Sequence, residues 1–288
     1  MNGSMQLLCS TGTFSRWPHY VDYRTIPQYG PQLEVDGFEV MFYATWYPEV
    51  EQVAAELLKS GLRFPAIHIE KGIGSALGNV QREIREQGIQ QFAANCRLGK
   101  LLGANALILH LWGMPELDNR LEHNLETLDA CLTLASQSDL TLAVETIPAR
   151  HADPLSNVYR AVAQASSCRV ALDTEFLAFY NQVETALTTD WLWQNNTVCH
   201  IHIKDFDGTP PFAPGKPRRY LHPGEGYIDF SHFFAGLRQR GFDGYISLEA
   251  SAIDGTGVVD VNRLRESLAT LRRLIEPDPS SRENLHIR

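Results

Sequence analysis

Eight short apolar runs, separated by longer amphipathic segments over almost the whole chain, are the feature that most constrains this sequence. The runs fall at residues 6–10, 37–43, 64–70, 104–111, 140–145, 169–173, 198–204 and 244–249. Their length and their content of aliphatic and β-branched residues read as strands. Residues 48–60, 80–102, 117–136, 154–166 and 259–275 instead repeat their apolar positions with the helical period. Strands that alternate with helices imply a parallel sheet, because a parallel neighbour is reached only through a crossover. Gly61, Gly103 and Gly241 stand where a helix has to stop before the next strand.

Two architectures accommodate this alternation, a doubly wound open sheet and a closed barrel. Eight units, with no shorter repeat and no Pro/Ser-rich linker, favour a single (β/α)8 TIM barrel over residues 1–276. Residues 277–288 then form a polar tail carrying two prolines. The open sheet lacks its glycine fingerprint: Gly72-Ile-Gly74 has no third glycine where a dinucleotide turn needs one, and reads as a flexible loop. A chain of 288 residues that is 44% hydrophobic has enough apolar material for one large core.

Side chains alternate across a strand, so each run can be sorted into two faces. In the fifth run Thr141, Ala143 and Glu145 oppose Leu142 and Val144; in the sixth Ala171 and Asp173 oppose Val170 and Leu172. In the eighth Tyr245, Ser247 and Glu249 oppose Ile246 and Leu248, and in the seventh His200, His202 and Lys204 oppose Ile201 and Ile203. Earlier runs follow suit, with His68 and His110 ending the third and fourth on the polar face. In a barrel that face points inward, and the active site lies at the C-terminal ends of the strands. One terminal carboxylate is ordinarily a helix cap or a solvated loop residue. Glu145, Asp173, His202 and Glu249 together are harder to explain so, since three converging carboxylates repel unless a proton, a basic group or a divalent cation intervenes. Three oxygen ligands and one imidazole suit Mn²⁺, Mg²⁺ or Co²⁺, with Zn²⁺ behind them.

Other residues have looser readings. His68 and His110 are candidates for binding a substrate hydroxyl or carbonyl, or simply satisfy neighbouring groups. Lys204 either polarises a substrate oxygen or neutralises the carboxylates, and His200, one residue pair deeper, orients a metal ligand rather than being one. The loop after the seventh strand carries Lys216, Arg218 and Arg219, which either clamp an anionic substrate group or offset charge at the surface. Trp17, Trp46 and Trp112 lie beside strand ends, where they stack on a ligand or fill the core, while Trp191 and Trp193 look like helix packing.

A net charge of −9 disfavours nucleic acid as a partner. Five scattered cysteines without a Cys-x-x-Cys spacing fit reduced thiols, and no apolar stretch is long enough to span a membrane. A cytoplasmic protein is expected, and a homo-oligomer is left open.

Leu142-Ala-Val-Glu145-Thr, Ala171-Leu-Asp173-Thr, His200-Ile-His202-Ile-Lys-Asp205, Pro223-Gly-Glu-Gly226-Tyr-Ile-Asp229-Phe and Gly241-Phe-Asp-Gly244-Tyr-Ile-Ser-Leu-Glu249 resemble, in order and spacing, the xylose isomerase-like (β/α)8 superfamily. The likeness is to its sugar phosphate isomerase/epimerase branch, and it covers the C-terminal half. It implies a divalent metal on Glu145, Asp173, His202 and Glu249. It also implies proton exchange at the substrate by Glu145 and Glu249 through an enediolate, on a sugar or sugar-like polyol. The same scaffold serves lyases of the inosose or dehydroshikimate dehydratase type, and a metabolite-binding barrel without turnover is a third reading. Two departures stand out. Phe176 occupies the position of a frequent histidine, and Arg218-Arg219-Tyr220-Leu221-His222 lacks the Asp-x-His pair of the AP endonuclease branch, which makes that the least favoured activity.

Overall fold

A computed structural model of the chain describes residues 4–16, 21–212 and 218–276. Its eight parallel strands close on themselves in sequence order, with β1 paired to both β2 and β8. They are β1 (Gln6–Ser10), β2 (Gly37–Met41), β3 (Ala66–His68), β4 (Ala106–Leu109), β5 (Thr141–Glu145), β6 (Arg169–Asp173), β7 (Val198–Ile203) and β8 (Tyr245–Leu248). Most end one or two residues earlier than the apolar runs suggest, because His110, Lys204 and Glu249 already belong to the loops that leave the barrel. The expected long helices are present at Val50–Lys59, Arg82–Leu102, Leu121–Gln137, Pro154–Gln164 and Val261–Ile275. A further one, Phe230–Gln239, follows β7. Trp17, residues 215–217 and the tail 277–288 lie outside the described residues.

Alternation along the strands sorts the interior into two separate cores. Outward residues such as Leu7, Val40, Ile67, Leu107, Val144, Leu172, Ile201 and Ile246 join the helices in one large cluster. Inward residues Leu8, Ala66, Ala106, Ile108, Ala143 and Ala171 form a small plug inside the barrel. These small side chains fill the N-terminal half of the barrel, and the polar inward residues begin directly above them. Gly61, Gly103 and Gly241 take φ near +70°, as helix-terminating glycines do. Trp46 and Trp112 are fully buried and donate their indole N–H groups to the carbonyls of Val21 and Pro148, so both belong to the core. Trp193 packs against Phe242, consistent with a helix-face role. Gly72-Ile-Gly74 is not a flexible loop. It opens the short helix Ile73–Leu77, and a Cβ on Gly74 would lie 1.8 Å from the carbonyl oxygen of His110, so only glycine allows that helix to sit against the end of β4.

The loop after β7 is built on one side chain. Both carboxylate oxygens of Asp205 are used: Oδ2 accepts from the backbone of Gly224 and Gly226, and Oδ1 from Phe206 and Ile228. A Cβ at Gly226 would fall 2.5 Å from Asp205 Oδ1, which explains the glycine in Pro-Gly-Glu-Gly. Asp229 then caps Phe230–Gln239 by accepting from His232 N. All five cysteines are free thiols, and burial pushes those of Cys9, Cys96, Cys131, Cys168 and Cys199 up to about 12. Among the described residues no helix is long and apolar enough to cross a membrane.

Candidate functional site

Four neighbouring strands, β5 to β8, deliver one polar residue each to a single point. Glu145 and Asp173 end their strands, His202 sits in β7 level with Asp173, and Glu249 follows β8. Donor atoms of all four lie within 4.8 Å of one another, and all four residues are buried. Asp173 also performs the ordinary duty of a strand-end aspartate: Oδ1 accepts from Phe176 N at 3.1 Å, capping the helix Thr174–Phe179. Its other oxygen faces the cluster. The hydroxyls of Thr146 and Thr174 tie the strand ends together, the first accepting from Asp173 N and the second from Lys204 N.

His202 is held from both sides. Its Nδ1 lies 2.9 Å from Glu145 Oε1, and its Nε2 lies 2.9 Å from Glu39 Oε2. Burial alone would lower its pKa, but Glu39, Glu145 and Glu249 outweigh burial and hold the imidazole protonated well above the usual histidine range. Glu39, in the middle of β2, is fully buried, and the paired histidines hold its carboxyl well below the usual range against the opposing effect of burial. Sequence reasoning missed it. The signal was present, because a lone glutamate inside Phe-Glu-Val-Met shares the inward face with Gly37 and Met41. His200 meets the ring of His202 edge-on, with centroids 4.9 Å apart, and its Nε2 lies 2.6 Å from Glu39 Oε2, so it bears on His202 both directly and through Glu39.

The carboxylates carry an internal counter-charge. Lys204 Nζ lies 2.6 Å from Asp173 Oδ2, 3.9 Å from Glu175 Oε2 and in hydrogen-bond contact with Glu249 Oε2. Its side chain is buried, and the surrounding carboxylates raise its pKa despite that burial. Burial, with help from Glu145, Glu175 and Glu249, pushes Asp173 up to about 7 even beside the ammonium. Glu249 is held in the opposite direction: Lys204, Lys71 and His202 overcome burial and keep it ionised. Of the two roles considered for Lys204, neutralising the carboxylates is the one this arrangement displays.

Above the cluster opens a cavity of about 430 Å³. Its wall includes Glu249, His110, Lys204 and Arg218 from the expected set, with Phe176, Phe212, Tyr43, Tyr220, Ile147 and Pro148 supplying apolar and aromatic surface. Several expectations are corrected here. His68 is buried behind the wall: its Nδ1 lies 2.8 Å from the Ile69 carbonyl and its Nε2 3.4 Å from Glu145 Oε2, so it stands beside Glu145 rather than facing the cavity. Arg219 turns away and pairs with Asp207 near the surface. Arg218 lines the cavity, yet both of its terminal nitrogens are engaged by buried Glu175. The pair Arg218 and Arg219 therefore does not form the expected clamp. His110 Nε2 lies 2.7 Å from Glu145 Oε2, and burial pushes this imidazole down to about 4, so it is neutral at ordinary pH. Trp46 and Trp112 contribute no stacking face to the wall.

The model of the family described as the xylose isomerase-like TIM barrel matches residues 30–274. The chain belongs to that family. Among solved structures of this xylose isomerase-like barrel, L-ribulose 3-epimerase superposes with a TM-score of 0.76 at 14% identity, covering 99% of both chains. The 3-keto-D-glucoside 4-epimerase of E. coli gives 0.69 at 18% identity, covering 93% of this chain and 99% of that one. D-allulose 3-epimerase from Methylomonas sp. gives 0.74 at 12%, covering 94% and 98%. At these identities the likeness establishes the fold. No curated protein sequence matches the chain.

The cluster fits a divalent cation by the chemistry of its donors. Three carboxylates and one imidazole present hard ligands to a common point, and Glu249 Oε1 is buried without a hydrogen-bond partner among the described residues. His202 presents Nδ1 to the cluster and gives Nε2 to Glu39, the carboxylate–histidine pairing that fixes the orientation of a metal-binding imidazole.

Proposed function

We propose that this xylose isomerase-like barrel is a divalent-metal-dependent isomerase or epimerase of a sugar or sugar-like polyol. One observation carries the reading: Glu145, Asp173, His202 and Glu249, from four successive strand ends, meet within 4.8 Å directly beneath a cavity of substrate size. Solved epimerases that share the fold support it, one of them crystallised with D-allulose.

Those four residues would hold the ion, whose chemistry is to polarise a substrate carbonyl and stabilise negative charge developing on its oxygen. The chain's own residues do the rest. Glu249 is ionised and lines the cavity, so it is the base placed to remove a proton from carbon next to the carbonyl. Glu145 lies deeper and is the second member of the acid–base pair, beside the neutral imidazole of His110. Lys204 presents its ammonium at the wall where substrate oxygens would sit, and His110, whose single N–H is directed at Glu145, offers Nδ1 there as an acceptor. Phe176 lies 4.7 Å beneath the Lys204 ammonium and with Phe212 forms an apolar face that keeps water from one side.

The test is isotopic. The metal-loaded protein incubated with ketoses in D₂O should place deuterium on the carbon next to the carbonyl, and Glu249→Gln should reduce the exchange by ~10²–10⁴-fold. Loss of water from the polyol would assign a lyase instead. Absence of both across ketoses and polyols would leave a binding protein.

A further inference from the structure

The cavity wall holds a cation that the reaction chemistry does not use. Arg16 follows β1 and lines the same cavity as Glu249. Its Nε donates to the Gly12 carbonyl at 3.0 Å and its Nη1 to the Tyr220 hydroxyl at 2.6 Å. Its Nη2 is buried and has no hydrogen-bond partner among the described residues. The other cations on the wall are answered by acids: Lys204 by Asp173 and Glu249, Arg218 by Glu175, and Lys71 by Glu249 at 3.8 Å. Among the described residues no carboxylate lies within 4.0 Å of Arg16. The adjoining stretches 17–20 and 213–217 contain no aspartate or glutamate that could serve.

The surroundings add to its charge. Tyr220 has two guanidinium groups against its ring, the Arg16 carbon 4.2 Å and that of Arg218 4.7 Å from the centroid. Burial works against ionisation of Tyr220, yet Arg16, Lys71, Arg218 and Lys204 together bring its pKa below the usual tyrosine value. The cavity thus has two electrical ends, the ion-binding carboxylates on its floor and a positive patch around Tyr220 on its wall. A guanidinium edge removed from water without an anion is unfavourable unless a ligand completes it.

We propose that Arg16 is a substrate-binding residue, and that the substrate is an acidic sugar whose carboxylate or phosphate is received by its guanidinium at the cavity wall. Nε and Nη1 donate to Gly12 and Tyr220, which orient the guanidinium, and its charge, met by no carboxylate of the described residues, is left for a ligand anion to answer. This inference takes the cavity to be the substrate site, as the proposed function does, and it replaces the Arg218–Arg219 clamp with a residue from the other side of the barrel.

The experiment compares three probes with one skeleton: D-glucose, D-glucuronate and D-glucose 6-phosphate. Dissociation constants are measured by titration calorimetry on the metal-loaded full chain. The native protein should prefer at least one anionic probe over glucose by ~10–100-fold, the worth of a charge-assisted hydrogen bond. Preference for glucuronate assigns a sugar acid, and for glucose 6-phosphate a sugar phosphate; either supports the proposal. Arg16→Met should bring the ratio of constants towards one, and Arg16→Lys, which keeps the charge without the fork, should leave an intermediate ratio. If the methionine variant does not fold, the lysine variant decides by the same ratio. Equal constants in the native protein, or an unchanged ratio in a folded variant, would overturn the proposal. Deuterium exchange is scored separately, so intact anion preference without exchange would sink the isomerase reading and leave the anion subsite standing.

Discussion

Glu39 is where the structure makes its sharpest demand. Glu39→Gln keeps the shape and one acceptor but removes a fully buried charge that sits 2.9 Å from protonated His202 and 2.6 Å from His200. With charge centres roughly 4 Å apart and an effective dielectric of about 20, the attraction to His202 is ~4 kcal/mol. Glutamine recovers part of the lost desolvation, and breaking a buried pair by removing one member typically costs about 3–5 kcal/mol. We therefore expect metal-stripped Glu39→Gln to lose about 2–4 kcal/mol, a fall in Tm of roughly 5–15 °C at about 2–4 °C per kcal/mol. Urea unfolding at fixed ionic strength measures this directly. The sign of the pH dependence follows from both partners. Glu39 is depressed, so its contribution is present above the unfolded value of about 4.3 and fades as pH falls through its folded value. His202 is raised, so its contribution is complete below about 6.5 and fades only as pH climbs through its higher folded value. The gap between native and variant should be flat from about pH 5 to 6.5. In a cycle with His200→Gln the two changes should be non-additive by about 1 kcal/mol or more. A Glu39→Gln protein within ~0.5 kcal/mol of native across that window would refute the buried-pair account.

Lys204 competes electrostatically with any ion that binds its carboxylate partners, so Lys204→Met should tighten Mn²⁺ binding by about tenfold or more in calorimetry, while destabilising the metal-stripped protein; weaker or equal binding would show that Lys204 helps to build the site instead. At the opposite end of the barrel, Asp36 accepts from Leu7 N at 2.7 Å and pairs with both terminal nitrogens of Arg272, fastening β1 to the last helix. Burial opposes ionisation of Asp36, but Arg272 and the Leu7 amide lower its pKa, so its contribution exists above the unfolded value of about 3.9 and is lost as pH falls below it. Asp36→Asn should cost no more than ~1 kcal/mol at pH 6, because the pair is about a third exposed, and the difference in urea midpoint should shrink towards pH 3.5. A difference that grows on acidification would contradict the assignment.

Much of the site was legible because strand alternation is a local property. Two residues of spacing place Glu145 over Ala143, Asp173 over Ala171 and His202 over His200, and a parallel barrel turns that parity into a common interior. For the same reason the fold class, the separation of aliphatic from polar faces and the quartet itself could be read from the chain. Tertiary structure alone decided who partners whom. Glu39 and His202 are 163 positions apart, and only closure of the barrel brings β2 across from β7. Arg218 is claimed by Glu175 and Arg219 by Asp207, so two arginines that look equivalent in the sequence have different positions relative to the cavity. Arg16 lies just past the first strand with nothing local to mark it, and it acquires meaning only when the loop after β7 lays Tyr220 against it. Periodicity tells which way a side chain points; the charges and hydrogen bonds it meets depend on chain segments that no local pattern brings together.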